Sequence, residues 1–229
     1  VTAKSRTPSN IVVFGATGTA GSELVRQCLV DPRIDEVRAV VRRPLGFSHE
    51  KLREVACSNF EDLSAIRGQL LAVRACFFCL GISSRQAADE ADYRRVTVGY
   101  ALAAARFLRE SSPEHGFHFL SGAGADRTGE SWMMWARVKG EAENELGKLG
   151  LKRLFIYRPG YIHPDDAHAR PGLVSAIGRW LFPVLRTALP RTTIRAVELA
   201  RAMIEVEYSR RNGGLFENPA LLELGRGAG

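Results

Sequence analysis

The chain has 229 residues, a formal charge of +7 and 45% hydrophobic residues, enough apolar material for a packed core on the scale of one or two domains and too much for a disordered or fibrous chain. No stretch reaches the roughly 18 apolar residues of a membrane-spanning helix, and residues 1–10 are polar, so a soluble, cytoplasmic protein is expected. Only five of the 32 basic residues are lysines (Lys4, Lys51, Lys139, Lys148 and Lys152), and residues 151–229 hold 12 basic against 7 acidic residues, so the positive excess is concentrated in the last third.

Short β-type runs alternate with helical patterns through the first two thirds, the signature of βαβ units and a parallel sheet. Residues 11–14 read as the first strand, followed by a helix over 19–29 that Asp31-Pro32 closes. Strands are expected at 37–41, more weakly at 54–57, and at 75–80, with a helix over 62–70 between the last two. Tyr93, Val96, Tyr100, Ala103, Ala104, Phe107 and Leu108 recur at helical spacing and predict a long packed helix over 89–110. A strand at 117–120 runs into Ser121-Gly122-Ala123-Gly124. Next come a helix over 132–146 with Ser131 as its N-cap, and a strand at 154–157 ended by Arg158-Pro159-Gly160. Beyond Pro164 the alternation stops: helices are expected over 173–189 and 193–208, and a last strand at 221–224. The expected architecture is an α/β Rossmann-type doubly wound sheet in one domain, with residues 1–163 as the nucleotide-binding core and 164–229 as a helical substrate or cap region.

Cys28, Cys57, Cys76 and Cys79 lie in apolar surroundings and read as small core residues. Cys76 and Cys79 are three apart on a strand, so their thiols point to opposite faces and do not form a redox or metal pair.

The first strand leads directly into Gly15-Ala16-Thr17-Gly18-Thr19-Ala20-Gly21 and a helix. The first glycine permits a tight turn, the second lets the backbone approach a diphosphate, and the third allows close helix packing, while the helix N-terminus offers free N–H groups to the phosphates. At the end of the second strand, where an acidic residue would hold an adenosine ribose, the chain has Val41-Arg42-Arg43-Pro44. Two guanidiniums suit a 2′-phosphate, which favours NADP(H) over NAD(H); the alternative is that they are solvated surface.

The ordered series GATGxxG, VVRRP, CLG, LSGAGAD, WARVKGE and RPG resembles the short-chain dehydrogenase/reductase superfamily, and within it the atypical branch around the HIV Tat-interacting protein, over roughly residues 9–225. The resemblance implies that Asn59 and Phe60 lie beside the adenine, that Leu80 and Gly81 line the dinucleotide, and that Pro159, Gly160 and Ile162 approach the nicotinamide. Ser121 matches the family serine that holds a substrate carbonyl, and Lys139 the lysine that supports a tyrosine four residues earlier and hydrogen-bonds the nicotinamide ribose. That earlier position is Trp135. Spacing of four puts both side chains on one helix face, but an indole N–H donates without ionising, so Trp135 cannot relay a proton. Tyr161 is the replacement candidate for the missing acid, with packing as the alternative, and His163 a lesser one. Trp135 and His163 are expected to line the substrate pocket.

Two functions follow. One is an NADPH-dependent reductase of a small carbonyl compound; the other is a catalytically weak NADPH-sensing protein that acts through a protein partner. The arginines of the last third, Arg179, Arg186, Arg191, Arg195 and Arg201, come without any nucleic-acid-binding signature, and no metal site is expected. The helix over 173–189 is expected to serve as a lid or as a subunit contact in a homodimer.

Overall fold

The computed structural model describes residues 8–165 and 192–227. The expected helix over 173–189, with Arg179, Arg186 and Arg191, lies outside the described residues.

Seven parallel strands form the main sheet: β1 (Asn10–Phe14), β2 (Glu36–Val41), β3 (Leu52–Ala56), β4 (Ala75–Phe78), β5 (Gly116–Leu120), β6 (Arg153–Arg158) and β9 (Gly213–Glu217), in the order β3-β2-β1-β4-β5-β6-β9. The chain moves outward from β1 to β3, returns to β4 beside β1, and then proceeds the other way, which is the α/β doubly wound arrangement expected of the sequence. The reversal between β1 and β4 opens a crevice at the carboxyl ends of the strands. Two further strands, β7 (Tyr161–His163) and β8 (Thr193–Arg195), pair with each other in parallel.

The central strands β1, β4 and β5 are buried on both faces and do not alternate, whereas the edge strands β3 and β9 are largely exposed. On one face α1 (Thr19–Val30), α5 (Ala196–Tyr208) and α6 (Asn218–Arg226) pack with Ile11, Val13, Phe77, Phe155 and Tyr157. On the other, α3 (Tyr100–Ser111) and α4 (Met134–Lys148) pack with Val12, Phe14, Phe78, Phe117 and Phe119. Cys76 joins this second core while Cys79 packs against the first, and all four cysteines are free thiols. Among the described residues no helix is long and apolar enough to cross a membrane.

Several expected elements are corrected. Residues 62–70 hold a short 3₁₀ segment, Ser64–Gln69, in place of the expected α-helix, with Ile66 buried inside it and Leu63 and Leu70 buried at its ends. The long helix over 89–110 is present as α2 (Glu90–Arg94), a π-helical turn (Arg95–Gly99) and α3. Helix α4 starts at Met134 with no side-chain cap. Ser131 belongs to the preceding loop, where its N–H donates to Asp126 Oδ2 at 2.6 Å and its hydroxyl accepts from the Met133 N–H at 3.2 Å.

Residues 193–195 form β8, and α5 begins after it with Glu198 accepting from the Arg195 N–H at 3.0 Å. Residues 221–224, expected as a strand, are helical in α6. Pro219 fits its first turn, and Leu221, Leu222 and Gly225 form its buried face. A Cβ on Gly225 would stand 2.3 Å from Glu198 O, so the helix sits hard against α5. The edge strand is instead β9, glycine-led and buried only at Phe216.

The amino-terminal edge of the sheet is tied to α5 by buried polar groups. Glu207, fully buried, accepts from Arg153 Nη2 at 3.0 Å and Arg74 Nε at 2.9 Å, and pairs with His118 Nε2 at 3.0 Å. Burial raises the Glu207 pKa, but the hydrogen bonds and charges of His118 and Arg153 outweigh it and hold the group below the usual carboxylate range. His118 therefore donates from Nε2 to an ionised carboxylate, and its Nδ1 is left to accept from the Tyr157 hydroxyl at 2.7 Å. Burial pushes the His118 pKa down, and the nearby Glu207 charge offsets that only in part.

Glu207→Gln leaves two arginines facing a neutral amide, and should cost about 3 kcal/mol in urea unfolding. Both depressed pKa values act in the same direction. Protonation favours the unfolded chain, so the stability from this cluster is complete above about pH 6.5, falls through the histidine step and then through the carboxylate step. Urea midpoints measured from pH 8 to pH 4 should show this loss in the native protein and a smaller one in His118→Phe.

Candidate nucleotide site

The carboxyl-terminal edge of the sheet gathers most of the candidate residues. Gly15 has φ +81°, and a Cβ there would lie 2.5 Å from Leu80 N and 2.6 Å from Cys79 C, so the first turn and the end of β4 touch backbone to backbone. At Gly21 a Cβ would meet Gly15 O at 2.2 Å. The helix therefore packs on the turn itself, which is closer than the strand packing expected of the third glycine. Gly18 is different: a Cβ would meet only Gly15 O, at 3.4 Å, so its bareness is not needed for the protein's own packing. It caps α1 with no side chain donating or accepting and no acidic residue in the first turn, and Thr17, Gly18 and Thr19 are exposed while Ala20 is buried. An uncapped helix N-terminus beside an open glycine is what an anionic diphosphate needs.

Arg42 and Arg43 follow β2 directly, both exposed, and their side chains make no hydrogen bond or ion pair among the described residues. After β3, Asn59 is exposed and its Oδ1 accepts from the Glu61 N–H at 3.0 Å. Phe60 is buried, with its ring 5.5 Å from that of Tyr100 and 6.2 Å from that of Phe14, so its side chain belongs to the core and only its backbone is free for an adenine. Leu80 is partly buried and Gly81 exposed, with open space where a Cβ would stand.

Beyond β5 the loop runs alongside β6, Ser121 N–H donating to Tyr157 O and Ala123 N–H to Pro159 O, both at 2.8 Å. Gly160 donates to Asn218 Oδ1 at 2.8 Å, and a Cβ on it would overlap Thr192 O at 1.9 Å. Tyr161, Ile162 and His163, just past the Arg158-Pro159-Gly160 stop, form β7 and are all partly buried; Ile162 packs against the core. Asp165, just beyond β7, is ion-paired to Arg195 at 2.6 Å.

Helix α4 brings Trp135, Lys139 and Glu143 onto one face at spacings of four. The ring of Trp135 lies beside Gly124, 3.4 Å from where a Cβ would stand. Gly140 allows the helix this approach, since a Cβ there would fall 1.8 Å from Asp126 O. Lys139 Nζ donates to Ser121 O at 3.2 Å, so the structure brings the two expected residues together. Burial pushes the Lys139 pKa down to about 8, with Glu143 opposing the shift.

Sequence reasoning missed Glu143. Buried to 1% exposure, its carboxylate accepts from Ser121 Oγ at 2.6 Å, Arg127 Nε at 2.6 Å, and Arg158 Nε and Nη2 at 2.9 and 2.6 Å. Burial raises its pKa, but the bonds from Arg158, Ser121 and Arg127 more than offset this and keep it ionised. The Ser121 hydroxyl proton is thus given to Glu143, and toward the crevice Ser121 offers lone pairs. The available signal was position: one turn beyond Lys139 on the same face.

The switch-point crevice, glycine turn and uncapped helix define a dinucleotide-binding Rossmann protein. No family model matches the chain. Protein HTATIP2 of Rattus norvegicus is 30% identical over 226 residues, covering 95% of this chain and 89% of that protein. The chain belongs to the atypical short-chain dehydrogenase/reductase family, as an NAD(P)-binding, oxidoreductase-like member. The fold is shared with uronate dehydrogenase (TM-score 0.65, 16% identity, 91% of this chain and 74% of that one) and with the Bordetella bronchiseptica enzyme WbmF in complex with NAD+ (TM-score 0.68, 14% identity, 96% and 77%). Protein FMP52 of Candida albicans, 25% identical over 73% of this chain and 75% of its own length, is named mitochondrial, as is its Aspergillus clavatus counterpart. These relatives overturn the expected cytoplasmic location.

Gly18→Val separates binding from packing. Thermal stability should stay within a few degrees of the native protein, while NADPH affinity measured by fluorescence titration falls at least tenfold.

Proposed function

We propose that this protein binds NADP(H) in preference to NAD(H) and uses it to reduce a small carbonyl compound. The observation that carries the reading is the Lys139–Ser121 contact at the end of β5, on the same sheet edge as the glycine turn. When bound, the reduced nicotinamide supplies a hydride. The chain's own residues do the rest: the first turn of α1 and Gly18 hold the diphosphate, Arg42 and Arg43 the 2′-phosphate, and Lys139 the nicotinamide ribose. Pro159, Gly160 and Ile162 back the nicotinamide, and Trp135 walls the substrate side.

A second reading is supported by Trp135 and the Ser121–Glu143 hydrogen bond, which remove the phenol and occupy the serine proton. Under it the nucleotide is a signal and the output is contact with a protein partner. A carbonyl panel followed at the NADPH absorbance decides between them. Turnover supports the reductase; tight NADPH binding without turnover supports the sensor. Trp135→Tyr restores a phenol four residues before Lys139, and should raise the rate at least tenfold if the reductase reading holds.

Charge-assisted hydrogen bonds to a phosphate contribute about 1.5–3 kcal/mol each, on the order of 10- to 100-fold in affinity. Arg42→Ala combined with Arg43→Ala should weaken NADPH by that amount or more and leave NADH unchanged in isothermal titration.

A further inference from the structure

Glu143 stands one helical turn from Lys139, where a carboxylate ordinarily forms an ion pair with a lysine. Here its oxygens are taken up by Ser121, Arg127 and Arg158. Among the described residues Lys139 makes one hydrogen bond, to a neutral carbonyl oxygen, and no ion pair, although an ammonium has three donors. The other charged groups on α4 and α2 face elsewhere: Arg137 pairs with Glu90, and Glu141 with Arg94, at positions two residues to either side of Lys139. Arg158 from β6 and Arg127 from the loop after β5 both pair with Glu143, so among the described residues the carboxylate one turn from the lysine is shared with two guanidiniums. Trp135 beside it donates without ionising, and the Ser121 proton is committed.

We propose that Lys139 is itself the acid and base of the site, made so by the sequestration of Glu143. This rests on the reductase reading above. In the reduction, the carbonyl carbon gains the hydride of the reduced nicotinamide and the carbonyl oxygen gains a proton from the Lys139 ammonium. The N–H bond breaks, the neutral amine remains, and water returns its proton. In the reverse direction the amine takes the alcohol proton. Burial already lowers the lysine into the range where both forms are accessible near neutral pH. Glu143 is a positioning residue in this scheme, acting through the lysine and not on substrate.

The scarcity of lysine makes the test direct. With five lysines in the chain, reductive ¹³C-methylation gives five side-chain signals whose titration can be followed by NMR. One signal, absent in Lys139→Arg, should titrate near pH 8; titration above pH 10 overturns the proposal. Lys139→Arg keeps a permanent cation for the ribose, so NADPH affinity should stay within threefold. Carbonyl reduction should fall at least 100-fold and lose the decline expected of the native rate above pH 8. If Lys139→Arg reduces carbonyls with the native rate and pH profile, Lys139 is not the acid, and the reductase reading survives without it. If the native protein binds NADPH and reduces nothing, the reductase reading and this proposal fall together.

Discussion

An ionised carboxylate removed from water has to be surrounded by donors, and the way Glu143 meets that requirement organises the carboxyl-terminal edge of this protein. Its four hydrogen bonds come from three elements: Ser121 at the end of β5, Arg127 in the loop that follows, and Arg158 at the end of β6. Helix α4 is thereby registered against two strands at once. That registration sets where Trp135 and Lys139 stand relative to Ser121. Gly140 completes it, since the helix backbone reaches the Asp126 carbonyl only where no Cβ intervenes. The same carboxylate that fixes the geometry also takes the serine proton, and among the described residues it leaves Lys139 without an ion pair.

The amino-terminal edge has a counterpart with a different outcome. Glu207 is held by Arg153, Arg74 and His118, again a buried carboxylate clamped by two guanidiniums and one further group. His118 lies between the rings of Phe77 and Phe155, at 4.3 and 4.6 Å, and Tyr157 stacks on Phe216. Every reactive group there is enclosed, so a Tyr–His–Glu chain that would suit proton transfer serves to fasten α5 to the sheet. What separates the two clusters is access: one faces the crevice opened by the β1–β4 reversal, the other lies under the sheet's closed edge.

The fold was legible because buried parallel strands must be largely apolar and their crossovers helical, so the central strands of the main sheet stand out as apolar runs, while edge strand β3, with Arg53 and Glu54 exposed, reads more weakly. The glycine turn was legible from its spacing, and the structure gives the steric reasons: the backbone of Cys79 and Leu80 at the end of β4 requires Gly15, and the Gly15 carbonyl requires Gly21. Segments whose conformation depends on distant partners were misread. Residues 221–224 look like a strand by composition, yet their burial against α5 selects a helix. Glycine-led β9 has no strand-like composition and exists because the edge of β6 offers it a ladder of hydrogen bonds. Tyr161 to His163 became a strand only through pairing with residues some thirty positions later.

The sequence by itself determined the class of fold, the glycine turn, the pair of arginines after β2 and the loss of the family tyrosine, because each is a local matter of residue type at a fixed spacing. It also placed Ser121 and Lys139 together, through a spacing shared with a known family. The tertiary structure alone decided what those two residues can do. Whether Ser121 gives its proton to substrate or to Glu143, and whether Lys139 is paired or left as a lone cation, depends on Arg127 and Arg158. Both reach Glu143 from separate segments of the chain, and the strength of a buried charge depends on what surrounds it in space.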